Sequence, residues 1–494
     1  MRSAKPFAHT TSKHQLLTRP QRVLYYLHMQ KRWGYYLLSF TTIMVLTGAG
    51  CGKGATPAAT AAAKPLTLEY WSVAHDSKIM GDLTTKYKTV RSYVTIKFRR
   101  YRPEEFEQKL LEALAEDRGP DVITIHNTWV GKYQSKLAPM PANLTVARVY
   151  TKGGKLRSEQ AIEIQNIATP TIRQLDERFV QTVKADVVRN DGAGKPQIWG
   201  LPMALDTMVL FYNQDLLDQA NIPQAPTTWT ELQEAVVATT RYDNDGGIVQ
   251  AGGAFGTGKN TERAGDILTA LLMQNGATMS DARGRATFNL IPEGVRGQDS
   301  PALEALRFYT DFGNPGKQGY TWNTAMESSL DAFSRGKAAF FFGYAYHIPL
   351  LKARAPKLNY RILSMPQLNP AKSENVANYW IESVSKKTAH PNEAWDFVNF
   401  LTQAQQADYY TERARKPTAL RASIDKQLQN PDLTPFASQV TTAKSWYHGR
   451  NPAAADTALV DMIDFIHENR ALEETEDIFT TAIERAISKI NQSL

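Results

Sequence analysis

Met208–Tyr212 (MVLFY) is an unbroken apolar run with two aromatic residues. A run of that length fits a strand buried on both faces, which an α/β architecture supplies. Its surroundings sharpen the reading. Trp199-Gly200-Leu201-Pro202 leads in as extended chain: Pro202 restricts Leu201, and Gly200 tolerates backbone angles that a side chain forbids. Asp206-Thr207 then sets a carboxylate and a hydroxyl at the break before the run. Asn213 follows as a helix cap ahead of Leu216, Leu217 and Ala220. A polar pair therefore sits beside a buried strand that feeds a helix.

Upstream, the pattern alternates. Leu66–Trp71 reads as a strand, and Ile79, Leu83 and Tyr87 mark a helix. Val94–Phe98 is a second strand. Pro103 opens a helix with Phe106, Leu110, Leu111 and Leu114 on one face, and Asp121–Ile125 is a third strand. Strands alternating with helices predict parallel crossovers, with ligands outside the C-terminal strand ends. Trp71, Ser72, His126, Asn127 and Trp129 fall at such ends. Thr145–Asn190 is poorly periodic and reads as helices and loops. Thr228-Trp229-Thr230-Glu231 is a capping box. Asp243–Gly247 begins like a calcium loop, but Ala254 stands where the closing Glu belongs, so it reads as a polar turn. Gly252–Gly258 is glycine-rich without a Lys-Ser ending, so a phosphate cradle is not expected. Trp322 stands in a loop. Ala338–Phe342 is another buried strand, running into Gly343-Tyr344-Ala345-Tyr346.

Charge excludes one class of partner. The net charge is +8, yet seven of the 57 Lys and Arg residues and none of the 49 Asp and Glu residues lie in 1–50. The body is near neutral, without the basic footprint that nucleic acid requires. The single cysteine, Cys51, rules out an intrachain disulfide and a Cys-based zinc site. Lys31-Arg32, the apolar run Tyr35–Leu46 and the small residues before Cys51 form a secretory leader too short to span a bilayer. Met29 opens a more regular leader than Met1 and is the expected start. Residues 51–64, rich in Gly, Ala, Thr and Pro, read as a flexible tether.

The stretch WGLPMALDTMVLFYNQDLLDQANIPQAPTTWTELQEA resembles the central signature of the extracellular solute-binding proteins of bacterial ABC importers, in the carbohydrate-binding group. Gly336-Lys337-Ala338-Ala339 and the following Gly-aromatic strand end resemble a second element of that family. Ala377–Glu382 and Arg415-Lys416-Pro417 stand where it has further turns. The small residues ending at Cys51 resemble a lipoprotein box, which implies lipidation of Cys51. The resemblance implies an α/β, two-lobed periplasmic-binding-protein-like fold with a hinge between lobes. Residues 65–210 and 338–420 would form the first lobe, 211–337 and 421–494 the second, and 1–50 the leader. It implies a monomer, lipid-anchored at the extracytoplasmic face, that closes on a sugar or oligosaccharide and delivers it to an ABC permease.

Sugars are held by aromatic faces against ring C–H groups and by polar forks on hydroxyls. Trp71, Trp322, Tyr344, Tyr346, Tyr379 and Trp380 are candidate faces. Asp206, Asn127, Glu382 and Arg415 are candidate forks, with Ser72, His126 and Thr207 beside them. Neither cofactor nor metal nor catalytic residue is expected. The competing readings are a carbohydrate-active enzyme using Asp206 and Glu382 as a carboxylate pair, and the binding subunit of a surface sensor. The sequence carries no nucleophile elbow, zinc-protease motif, Walker loop or dinucleotide fingerprint.

Overall fold

The computed structural model describes residues 56–154, 157–293, 300–470 and 476–494. The leader and Cys51 lie outside the described residues. Two five-stranded sheets organise the chain, each with its own core.

In the first sheet, Leu66–Ser72 pairs in parallel with Val94–Arg100 on one side and with Val122–His126 on the other. Trp380–Ser385 then adds antiparallel to Val122–His126, and Leu137–Ala138 closes the edge. Helices Ser77–Val90 and Pro103–Ala115 are the crossovers. They bury Ile79, Leu83, Tyr87, Phe106, Leu110 and Leu114, as the spacing predicts. Leu111 departs from the expected stripe and is exposed, because it sits one position past Leu110 on the turning helix. The second sheet runs Arg241–Tyr242, Ile248–Gly253, Ala338–Gly343, Val209–Asn213, Tyr360–Ser364. Its two central strands are buried at every position. Phe340, Phe341 and Phe342 are each fully buried, contributing about 1.5–3 kcal/mol apiece.

Ala338–Gly343 was expected to open the return to the first lobe. Instead it pairs with Val209–Asn213 and Ile248–Gly253 inside the second sheet. The return comes later, at a three-stranded ladder in which Asn375–Asn378 lies between Asp206–Thr207 and Ala443–Lys444. Core membership switches in each segment. Leu205, Ala377 and Ala443 pack with the first sheet, and Met208, Val376 and Tyr447 with the second.

Two other expectations change. Asn143–Gly154 and Arg157–Ala168 form a long antiparallel ribbon where helices and loops were expected. Only its base is buried, at Leu144, Val146 and Ala147, so its hydrophobic pattern is faint. Helices Ile172–Arg178 and Gln181–Val187 follow it. Within the expected tether, Pro57–Ala62 is a short helix. Thr56 Oγ1 accepts from Ala59 N at 3.2 Å, and Pro57 occupies the first turn, where its missing N–H costs nothing. Asp243 does form a turn, its carboxylate accepting from the N–H groups of Asp245 and Gly247 at 3.0 and 2.7 Å.

Gly200 is required for a different reason than backbone freedom. A Cβ there would overlap Ile381 Cγ2 and come 2.9 Å from the Glu382 carbonyl oxygen. The close approach lets Leu201 bridge Glu382 through paired backbone hydrogen bonds of 3.1 and 2.9 Å. Gly200→Ala should therefore destabilise the fold by about 1–3 kcal/mol, the usual cost of overpacking. Denaturant unfolding measures this, and an unchanged midpoint would contradict the packing argument.

Candidate functional site

The C-terminal ends of the three parallel strands put Ser72, Arg100 and His126 along one edge of the first sheet. The antiparallel strand starts at that same edge, because Trp380 pairs with His126. Two residues before Trp380, Asn378 pairs with Asp206 in the neighbouring ladder, and His126 Nε2 lies 3.2 Å from Asn378 Oδ1. On the second sheet, Ala338–Gly343 ends at Tyr344-Ala345-Tyr346. The Asp206 carboxylate accepts from Ala345 N at 3.0 and 3.2 Å, which brings that turn against the first sheet's edge. A cavity of about 430 Å³ lies between, bordered by His75, Arg100, His126 and Trp380 from the first side and by Arg263 and Tyr346 from the second. Asp206, Asn378, Tyr379, Tyr410 and Lys416 border it too.

Its electrostatics follow from burial. Burial pushes the Asp206 carboxyl up to about 7, with Lys416 and backbone N–H groups pulling the other way. Burial, then Arg263, holds the His126 imidazole down at about 4, so it stays neutral and can both donate and accept. Arg263 takes a left-handed backbone at φ 56° before helix Ala264–Gln274. Its guanidinium pairs with Asp266 at 2.6 Å, and the Tyr344 hydroxyl donates to Asp266 at 2.7 Å.

Behind the first wall lies a fully buried network. Glu382 accepts from Tyr70 OH at 2.5 Å and from Thr124 Oγ1 at 2.8 Å, and its other oxygen meets His75 Nε2 at 2.6 Å. His75 Nδ1 meets Tyr410 OH at 2.7 Å. Burial lowers the His75 pKa, but Tyr410 and Glu382 outweigh it and raise it to about 9.

The expected site residues therefore divide. His126, Asp206, Tyr346, Tyr379 and Trp380 border the cavity, and Trp380 meets His126 and Trp129 edge-on at 5.4 and 5.9 Å. Tyr379 borders it although it is almost fully buried, its hydroxyl donating to buried Asp186 at 2.5 Å. Others do not border it. Glu382 is wholly buried in the network above. Trp71 packs on Tyr101 at 4.7 Å. Ser72 Oγ accepts from Ala74 N at 3.1 Å, Asn127 donates to Asp186 and Ser445, and Thr207 donates to the Phe436 carbonyl at 3.1 Å. Trp322 and Tyr344 are fully buried. Arg415 faces a separate cavity beside Asp432. Trp71 and Ser72 do end a strand and Asn127 does follow one, but their side chains turn inward, whereas Arg415 caps helix Ala404–Ala414 and stays exposed.

Sequence reasoning missed His75, Arg100, Arg263, Asn378, Tyr410 and Lys416. Two were close. Arg100 lies two residues beyond where the second strand was expected to end, and Lys416 adjoins Arg415. Arg263 gave no signal, since its approach depends on a left-handed turn.

Two α/β halves around a cavity, stitched by side-by-side chain passages, define a hinged binding-protein fold. A profile of the bacterial extracellular solute-binding protein family matches residues 91–408, and the chain belongs to that family. Membership makes it extracytoplasmic, and among the described residues no helix is long and apolar enough to cross a membrane. A Brucella abortus (strain 2308) relative named as a binding protein is 25% identical over 292 residues, covering 57% of this chain; the chain spans 65% of that relative's length. A Deinococcus radiodurans relative, named as an ABC transporter-binding protein, is 26% identical over 226 residues, 44% of this chain and 50% of the relative. Similar solved structures include the cyclic α-maltosyl-1,6-maltose binding protein of Arthrobacter globiformis. Its TM-score is 0.65 at 16% identity, covering 87% of this chain and 100% of that one. An ABC transporter solute-binding protein of Thermotoga lettingae bound with α-D-tagatose has a TM-score of 0.60 at 17% identity, covering 86% and 99%. At these identities the likeness is one of fold.

The buried pair has a testable pH signature. His75 titrates near 6.5 when unfolded and near 9 when folded, so its contribution is complete below pH 6.5 and is lost as pH rises through 9. Glu382→Ala should cost about 3–5 kcal/mol near neutral pH, and the cost should shrink as pH rises toward 9. A cost constant with pH in denaturant titrations would contradict the pairing.

Proposed function

We propose that the chain is the substrate-binding subunit of an ABC importer that captures a saccharide between its two lobes and delivers it to a membrane permease. The observation that carries this reading is that aromatic side chains from opposite sides border one cavity, Trp380 from the first sheet and Tyr346 from the second, with Asp206 at the joint. Aromatic faces cover ring C–H groups, while Asp206, Asn378 and neutral His126 serve hydroxyls in both hydrogen-bonding directions. The solved relatives named for maltosyl-maltose binding and bound with tagatose favour the same ligand class. In this reading the lobes meet at the ladder around Asp206, Asn378 and Ala443. The other lining side chains orient the ligand, and the buried Trp71, Ser72, Asn127, Thr207, Trp322, Tyr344 and Glu382 hold the walls from behind. Ligand binding shifts the hinge toward a closed form that the permease recognises. The protein acts as a monomer held at the membrane by lipid on Cys51.

Binding without turnover fits the fate of the expected carboxylate pair. Asp206 faces the cavity, but Glu382 is committed to Tyr70, Thr124 and His75. Calorimetric titration with a panel of oligosaccharides should show saturable binding and no release of cleaved sugar. Trp380→Ala and Tyr346→Ala should each weaken binding about tenfold, or ~1.4 kcal/mol. Unchanged affinity in both variants, or steady sugar release by the unaltered protein, would overturn the proposal. Normal uptake in cells whose partner permease is deleted would favour the sensor reading instead.

A further inference from the structure

The charges facing the cavity do not balance. Two of its cations are already matched by protein carboxylates: Arg263 by Asp266 at 2.6 Å and His75 by Glu382 at 2.6 Å. Two others are not. Arg100 is exposed and makes no side-chain hydrogen bond or ion pair among the described residues. Lys416 is half-buried, and its Nζ donates to the Ala74 carbonyl at 3.3 Å with no carboxylate in ion-pair reach. The two border one wall. Arg100 lies across from Ser72 in the strand register, and Lys416 contacts Ala74, so both flank the Val73–His75 turn. Against them the cavity sets one unmatched carboxylate, Asp206, whose hydrogen bonds go to backbone N–H groups.

We propose that the saccharide taken by this cavity is acidic, a uronate-containing sugar whose carboxylate is received by Arg100 and Lys416. The proposal rests on the saccharide-capture reading above and narrows its substrate class. An ammonium that is half-buried, held by the Ala74 carbonyl and the Tyr410 ring and without a carboxylate in ion-pair reach, is incompletely compensated once ligand displaces water. A carboxylate supplies the missing charge, and Arg100 offers a planar fork that a carboxylate matches with two hydrogen bonds. Asp206 on the same cavity limits how much further negative charge the site takes. Burial already discharges part of that acid near neutral pH, which leaves Asp206 able to donate to a ligand hydroxyl. A uronate ring keeps the C–H face that Trp380 and Tyr346 would cover.

The test is calorimetry on the whole extracytoplasmic chain with galacturonate, glucuronate and mannuronate oligomers, each beside its neutral hexose counterpart. At least one uronate oligomer should bind tenfold or more tightly than its counterpart, with the advantage falling as salt rises. Arg100→Gln and Lys416→Gln should each narrow that advantage severalfold while far-ultraviolet circular dichroism stays unchanged. Neutral sugars binding as tightly as uronates would overturn the acidic assignment and leave saccharide capture standing. An acidic preference unaltered in both variants would overturn the role given to these two cations. Silence across both classes would overturn this inference and the capture reading together.

Discussion

The geometry of the cavity depends on a narrow joint. Asp206–Thr207, Asn375–Asn378 and Ala443–Lys444 run side by side, and core membership changes within each passage. A short ladder holds its strands with few hydrogen bonds, so the energy that fixes one half against the other is small beside the energy of either core. The Asp206 carboxylate adds a link, because it sits in the ladder and accepts from Ala345 N of the second half. One side chain thus belongs to the joint and to the cavity wall. In the proposed reading, a ligand group that bonds to Asp206 would alter this contact between the halves.

Rigidity behind the first wall complements freedom at the joint. Glu382 and Trp380 lie two residues apart on one strand, and so on one face of it. Trp380 meets the cavity while Glu382 is locked by Tyr70, Thr124 and His75. A buried carboxylate with every oxygen engaged resists displacement, since removing any partner leaves an uncompensated charge. The Trp380 side chain at the cavity is therefore fixed in advance, which in the proposed reading lowers the ordering cost of binding.

Much of this was legible in the sequence because local patterns and tertiary environment agree. Met208–Tyr212 and Ala338–Phe342 are apolar throughout because both faces of their strands are covered. The Thr228–Glu231 capping box forms because its hydrogen bonds are local. Where the determinants are long-range, the sequence is silent. Gly200 looks like a conformational glycine, yet it is needed for close approach to Ile381 and Glu382, far along the chain. Of the thirteen aromatic and polar residues singled out, five border the cavity, and which of them do so is decided by loops. The His75 loop covers Glu382, and the turn after helix Ala404–Ala414 presents Lys416 to the cavity while Arg415 faces away. The ribbon at Asn143–Ala168 escaped notice because most of it buries nothing.

The central claim is that two stiff halves close on a saccharide about the Asp206 ladder. The most direct measurement is the distance between paired spin labels, one on each half: at exposed Glu112 on helix Pro103–Ala115 and at exposed Ala325, next to Met326 of the second half's core. Because Cys51 is the only native cysteine, replacing it leaves a clean background for labelling. The account predicts a broad distance distribution without ligand that shifts and narrows when a binding saccharide is added. A distribution unchanged at saturating ligand would contradict it.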